Sequence, residues 1–279
     1  MDIKKLVPFI LVLFCVVFTA ESLTANEAMN FLAQYKYLDE TVAKAAVQPG
    51  EVPAGIVTEA IRKFQEMANL PVTGILDQET LLKMEQPRCG FADVSANGHL
   101  NFVTARNRWP KKLLTWKISA YSRTSRLTEY EQRDAIERAL QIWGRQTPLR
   151  FQYQTQGTAD LNFKFAVRYH GDDDRFDGPG GVLAHATLPT GGEIHFDDQE
   201  TWLLGTKAEK IGSELYIVAA HEIGHALGLY HSNVRGALMA PFYAYSSYLI
   251  LHRDDVAGIQ NLYGKLFSKR KSAWWFLRK

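Results

Sequence analysis

Apolar residues open the chain as a charge-free run from Leu6 to Phe18, preceded by Lys4 and Lys5 and followed by the small residues Ala20 and Ser22. Basic, apolar and small residues in that order form the pattern of a secretory signal peptide. The run is shorter than the roughly 20 residues a bilayer requires. Removal of 1–21 is expected; a retained anchor is the alternative. From Thr24 to Lys44 the spacing of Ala28, Phe31, Leu32, Tyr35 and Leu38 predicts a helix. Pro49-Gly50 and Pro53-Ala54-Gly55 then break the chain. A second helix is predicted over Thr58–Ala68 and a third over Asp77–Met84, separated by a turn at 69–74. A helical unit of about 60 residues buries little core by itself.

Residues 86–111 are rich in Pro, Gly, Asn and Arg and read as an extended linker. Beyond them the period changes. Leu114–Ile118, Leu149–Tyr153 and Asp160–Val167 alternate like strands, and Glu193–Phe196 suits a short one. Thr128–Trp143, Leu215–Leu229 and Asp254–Tyr263 read as helices, and the glycine-rich stretch 171–192 as loops. Interleaved strands and helices argue for an α/β or α+β domain. There are no internal repeats.

Composition narrows the class. The 279 residues suit one or two domains, and 46% hydrophobic with 22% charged residues is ordinary for a globular chain. The net charge of +2 decides nothing about nucleic acid, but no long basic run interrupts the body of the chain, and no such partner is expected. Of the two cysteines, Cys15 lies inside the apolar run and should leave with it. Cys89 is then alone and forms no internal disulfide. A leftover thiol in an oxidising compartment points to intermolecular pairing or a special chemical role, with an inert buried thiol as the alternative.

Residues 221–231 read His-Glu-Ile-Gly-His-Ala-Leu-Gly-Leu-Tyr-His. His221 and His225 are four apart, so a helix puts both imidazoles on one face, where they can grip one metal ion. Glu222 lies beside them as a general base. A helix that continued would carry a third imidazole away; Gly228 permits a sharp turn that returns His231 as the third ligand. Three protein ligands leave one position open, the mark of a catalytic zinc. Imidazoles and a carboxylate among Ile217, Val218, Ala219, Ala220, Ile223, Ala226 and Leu227 need such a partner. Cys89, on the linker between the helical unit and this motif, could fill the open position as a thiolate and silence the enzyme. Arg88 and Asp93, five apart, could pin that loop through a salt bridge.

Residues 221–232, together with Ala237-Leu238-Met239-Ala240-Pro241, resemble the matrix metalloproteinase (matrixin) family. The resemblance implies an α+β metzincin zinc-protease catalytic domain, a twisted mixed sheet with helices, preceded by a small three-helix propeptide domain. Met239 would be the apolar floor under the zinc. Pro87–Asp93 resembles the family's cysteine switch, with Phe91-Ala92 where Val-Pro is commoner, and Cys89 would bind zinc in the latent form. Ala60–Gln65 and Leu70–Asp77 resemble the propeptide, a fold shared with peptidoglycan-binding modules. His170, Asp172, His185 and His195 suit a closed four-coordinate zinc and match the family's structural zinc site. Asp177, Asp197 and Glu200 with the carbonyls of Gly178, Gly180 and Val182 resemble a calcium site. Asp160 and Glu193 with carbonyls near Pro189 and Gly191 resemble a second one, although Glu193 and Pro189 depart from the common pattern. His99 and His252 match no ligand pattern and read as surface residues.

The implied activity is hydrolysis of internal peptide bonds in extracellular matrix proteins. Pro241 and Tyr243 would wall the primary specificity pocket, Leu183 and Ala184 would lie on the edge strand that pairs with substrate, and Ile217 would leave the pocket open to an apolar side chain such as Leu. The expected organisation is signal 1–21, propeptide 22–99, catalytic domain 100–264 and tail 265–279, with no haemopexin-like domain and activation by cleavage near 99–102. An activating protease and proteinaceous inhibitors are expected partners, and a monomer the expected state. The tail carries six basic residues with Trp274, Trp275 and Phe276. It reads either as an attachment to anionic lipid or glycosaminoglycan or as a disordered remnant. Competing readings are another metzincin and a wall- or carbohydrate-binding protein with a degenerate peptidase domain.

Overall fold

Thr24 opens the first helix by a reciprocal cap. Its hydroxyl accepts from the Glu27 backbone N–H while the Glu27 carboxylate accepts from the Thr24 N–H at 2.8 Å. The computed structural model describes residues 23–46, 54–94, 108–204, 212–244 and 249–266. The predicted signal segment, His99, the expected cut at 99–102 and the tail beyond 266 fall outside the described residues.

The helix predicted over Thr24–Lys44 is in fact two, α1 (Ala25–Gln34) and α2 (Glu40–Ala46). Lys36 adopts a left-handed φ of 65°, and the Tyr37 N–H turns back to the Leu32 carbonyl. That turn buries Tyr35, Tyr37 and Leu38 together, which a continued helix would not. Helix α3 (Ala54–Met67) starts ahead of its predicted Thr58, and α4 (Gln78–Met84) is capped by Asp77 on the Thr80 N–H. The described helices of this unit thus number four. They share a core of Leu32, Phe64 and Met67. Buried Gln65 holds the intervening turn through Thr73, Thr80 and the backbone of Gly74 and Ile75.

Within the predicted linker lies strand β1 (Arg88–Cys89). Next come β2 (Leu113–Ala120), α5 (Glu129–Gly144), β3 (Arg150–Tyr153), β4 (Leu161–Ala166), β5 (Val182–Ala186) and β6 (Glu193–Asp197). Two short strands, β7 (Trp202–Leu203) and β8 (Ser213–Glu214), precede α6 (Leu215–Ala226) and α7 (Arg253–Tyr263). The mixed sheet runs β1-β5-β6-β4-β2-β3, with only the β5–β6 pair antiparallel. Strand β5 corrects the loop expected over 171–192. All five of its residues are buried, so no alternation marks it.

The core sits between the sheet (Trp116, Phe163, Phe196) and α5 and α6 (Ile136, Leu140, Trp143, Ala219, Ile223). Two indoles fasten α6. Trp143 Nε1 donates to the Ala220 carbonyl and Trp109 Nε1 to the Ala226 carbonyl, at 2.9 and 2.8 Å. His252 caps α7 by accepting from the Asp254 N–H at an exposed helix end. Among the described residues no helix is long and apolar enough to cross a membrane.

Candidate metal centre

Helix α6 is buried on nearly every face, and His221, Glu222 and His225 are buried with it. It stops at Leu227. Gly228 takes a φ of 105°, its N–H bonds the His225 carbonyl, and the Leu229 N–H bonds the Gly224 carbonyl. This paired closure of the last turn reverses the chain and brings His231 back to the other two imidazoles.

Hydrogen bonds assign the ring tautomers. His221 Nδ1 lies 2.7 Å from the Leu238 carbonyl and His225 Nδ1 2.8 Å from the Leu229 carbonyl. Carbonyls only accept, so both Nδ1 atoms carry the proton and both Nε2 atoms expose lone pairs. Those two Nε2 atoms face each other at 3.1 Å. Two lone pairs at that distance repel unless a cation lies between them. His231 Nε2 is also buried without a protein partner. Burial holds all three imidazoles below their ordinary pKa, His221 at about 3, so protonation does not supply the positive charge. The donor set fits a zinc ion.

Cys89 completes a four-residue group with His221, His225 and His231, its Sγ 3.5 Å from His225 Nε2. Strand β1 delivers it. The Arg88 and Gly90 N–H groups donate to the Gly181 and Ala184 carbonyls on one side, and the Cys89 N–H donates to Pro241 on the other. Burial, reinforced by the Glu222 carboxylate, pushes the Cys89 thiol well above its usual range. A metal ion among the imidazoles would reverse that, since a coordinating thiol deprotonates. Arg88 Nη2 meets both Asp93 oxygens at 2.8 and 2.9 Å, fully buried. The Arg88 guanidinium lies 3.4 Å over the Tyr35 ring. Burial alone would raise the Asp93 carboxyl, but Arg88 and the donors His231 and Tyr37 outweigh it and hold it below the usual carboxylate range.

A second group gathers His170, Asp172, His185 and His195. His170 Nδ1 faces the Arg168 carbonyl at 2.8 Å, so its Nε2 lone pair points at His185 Nε2, 3.3 Å away. Asp172 Oδ2 lies 2.8 Å from His195 Nδ1 and 3.2 Å from His185 Nε2. Three nitrogens and a carboxylate make four protein ligands, which suits a structural zinc site.

A family model described as Matrixin matches residues 108–264, more than half of the chain. The chain belongs to the matrixin family. A model of a putative peptidoglycan binding domain matches residues 27–84 of this matrixin, the helical unit. It is 44% identical over 240 residues to matrix metalloproteinase-19 of Homo sapiens, covering 85% of this chain and 45% of that protein. Similarity to matrix metalloproteinase-19 of Mus musculus is 43% over 249 residues, and to the hatching enzyme of Paracentrotus lividus 46% over 210, covering 74% of this chain and 34% of that enzyme. The chain thus spans less than half the length of the curated relatives it matches.

The carboxylates expected around calcium are less gathered in this matrixin than the imidazoles. Asp197 accepts from the Gly178 N–H, Glu200 from Gly180 and Asp177 from Val182, so each addresses the backbone of one loop. Asp160 and Glu193 each have protein partners. Asp160 pairs with Lys111 at 2.7 Å and accepts from Thr115. Glu193 accepts from Asn162 Nδ2 at 2.8 Å and lies 3.4 Å from His195 Nε2.

Beside Glu222 opens a cavity of about 300 Å³, with Leu183, Ile217, Pro241 and Tyr243 on its wall and Leu249 and Ile250 further out. Ala184 is on the β5 edge rather than the cavity wall, and its carbonyl takes the Gly90 N–H. Three contacts escaped the sequence reading. Phe91 stacks on the His225 ring at 4.3 Å. Phe242, between two pocket residues, packs against Phe64 in the core of the helical unit. Asp255 accepts from the Leu238, Met239 and His252 N–H groups and so braces the turn that aims His221.

Gly224 was missed as well. A methyl there would overlap Met239 Sδ and stand 3.1 Å from Trp143 Cζ2. Alanine favours a helix over glycine by about 1 kcal/mol, whereas overpacking a tight core costs about 1–3 kcal/mol. Gly224→Ala is therefore expected to lower Tm by roughly 2–8 °C in a calorimetric scan. A higher Tm would show that Met239 has room to yield.

Proposed function

We propose that this matrixin is a secreted zinc-dependent endopeptidase, made as a cysteine-latched zymogen, that hydrolyses internal peptide bonds of extracellular proteins with Glu222 as general base. The observation that carries the reading is the facing pair of Nε2 lone pairs beside the buried Glu222 carboxylate. His221, His225 and His231 would hold the zinc, with Cys89 closing its fourth position. Bound there, zinc supplies Lewis acidity, polarising the scissile carbonyl and lowering the pKa of a coordinated water to about 7. Glu222 takes the proton from the attacking water and returns it to the leaving amine. Leu183 would pair with substrate backbone, and the cavity between Ile217, Pro241 and Tyr243 would receive a sizeable apolar side chain such as Leu.

The zymogen reading places the signal at 1–21, the propeptide at 22–99 and the catalytic domain at 100–264, with an activating protease cutting near 99–102. Casein or gelatin digestion after verified propeptide removal, with and without a zinc chelator, tests the whole. Chelator-sensitive digestion is expected. Inactivity of the zinc-loaded, processed chain would favour a binding protein.

His170, Asp172, His185 and His195 would hold a structural zinc that orders the glycine-rich loops. We further propose calcium at Asp177, Asp197 and Glu200. Burial pushes all three carboxyls up, Glu200 to about 7, and their mutual repulsion adds to this at Asp177 and Glu200. In calcium-stripped protein the native Glu200 holds its proton between pH of about 4.5, where it titrates unfolded, and about 7. The native state then binds more protons than the unfolded one, so stability falls as pH rises through that window. Calcium offsets the loss by neutralising the ionised carboxylates. The Tm gain on adding calcium should thus be larger at pH 7.5 than at pH 5; an equal gain at both, or none, would refute the site.

A further inference from the structure

Each zinc-facing imidazole is aimed by whatever its outer nitrogen donates to. For His221 and His225 the acceptors are the Leu238 and Leu229 carbonyls, which belong to the same domain. His231 differs. Its Nδ1 lies 2.6 Å from Asp93 Oδ1, a carboxylate 138 residues earlier on the latch segment, and both side chains are fully buried. Asp93 is held for that contact. Arg88 Nη2 reaches both of its oxygens, and the Tyr37 hydroxyl donates to Oδ2 at 2.6 Å. With Nδ1 donating to Asp93, His231 presents its Nε2 lone pair inward, where that atom has no protein partner.

We propose that Asp93 is a positioning residue for the third zinc ligand, so that the latent chain holds zinc more tightly than the processed one by more than the thiolate of Cys89 explains. The inference rests on the zinc reading above. A carboxylate on the outer nitrogen fixes the ring and makes its other nitrogen a better donor, and losing such a partner costs about 10–100-fold in metal affinity. The acceptors of His221 and His225 survive removal of the propeptide. That of His231 leaves with it, in the same step that removes Cys89. The propeptide therefore acts as a loading device for the metal as well as a block, and processing leaves His231 as the loosest of the three ligands.

The test follows zinc release to a chromogenic chelator from the full-length chain in a Cys89→Ser background, which removes the thiolate from the comparison. Adding Asp93→Asn should speed release from the His221 site by about 10–100-fold. Zinc at the His170 site is the internal reference. Adding Tyr37→Phe instead removes one of the groups that hold Asp93 but leaves Arg88 and the bond to His231, and release should rise by less than about tenfold. An unchanged rate for Asp93→Asn, or equal acceleration by both variants, overturns the proposal. Absence of zinc from the His221 site of the wild-type chain would instead sink the zinc reading itself. Should Asp93→Asn fail to fold, NMR of the 15N-histidine-labelled wild-type chain before and after propeptide cleavage decides. The Nδ1–H of His231 should begin to exchange with solvent while those of His221 and His225, still bonded to the Leu238 and Leu229 carbonyls, stay protected, and a His231 proton that stays protected overturns the proposal.

Discussion

Glu222→Gln is expected to reduce peptide turnover by the processed enzyme by roughly 10²–10⁴-fold, the usual worth of a positioned general base, while zinc content stays unchanged. Glutamine keeps the shape of the side chain and removes its basicity. The carboxylate is fully buried, has the Cys89 thiol beside it, and is pushed by burial to a pKa of about 8. A folded protein rarely leaves a carboxylate so placed without a task or an ion nearby. Glu222 is outside the group formed by Cys89, His221, His225 and His231, so its loss should not release metal. The paired measurement is turnover of an internally cleaved peptide and zinc per chain. Activity within about tenfold of wild type would remove Glu222 from the chemistry. Loss of zinc in the variant would make it a ligand instead.

Cys89→Ser in the intact chain is expected to give peptidase activity without cleavage. A serine hydroxyl is a poor zinc ligand, because at neutral pH it keeps the proton that a thiol surrenders to the metal. The latch would still hold through the backbone pairs of Arg88, Cys89 and Gly90, the Arg88–Asp93 ion pair and the Phe91 stack on His225. Activity should thus remain below that of processed enzyme. A latch that goes from about 1% to about 10% open, and so stays mostly docked, yields close to a tenfold rise. The measurement is peptide hydrolysis by the uncut variant, with its length checked by mass before and after. An intact Cys89→Ser chain as silent as wild type would mean that the strand pairing, not the sulfur, keeps water out.

What could be read from the chain was local. The four-residue spacing of His221 and His225 and the glycine at 228 act within one helix and its terminus, so short-range geometry suffices to place them. Cys89 was singled out by cysteine arithmetic, and its role by its place on the linker and the Pro87–Asp93 resemblance. What could not be read depends on partners distant in sequence. Asp93 meets His231 only because β1 crosses the sheet edge, and Phe242 joins the core of the helical unit only because the two units pack. Lys36 gives no local sign of its left-handed turn, since glycine or asparagine is the usual mark. Strand β5 hid behind its glycines because both of its faces are buried. The partners of Asp160 and Glu193, Lys111 and Asn162, are remote in sequence and could not be read either.

The central claim is that one zinc ion is shared by three imidazoles and the latch sulfur. Anomalous diffraction at the zinc edge from crystals of the uncut chain tests it most directly. The account predicts a peak about 2.3 Å from Cys89 Sγ and about 2.0–2.1 Å from the Nε2 atoms of His221, His225 and His231. A map with no peak there, or with Cys89 Sγ outside the coordination shell, would contradict it.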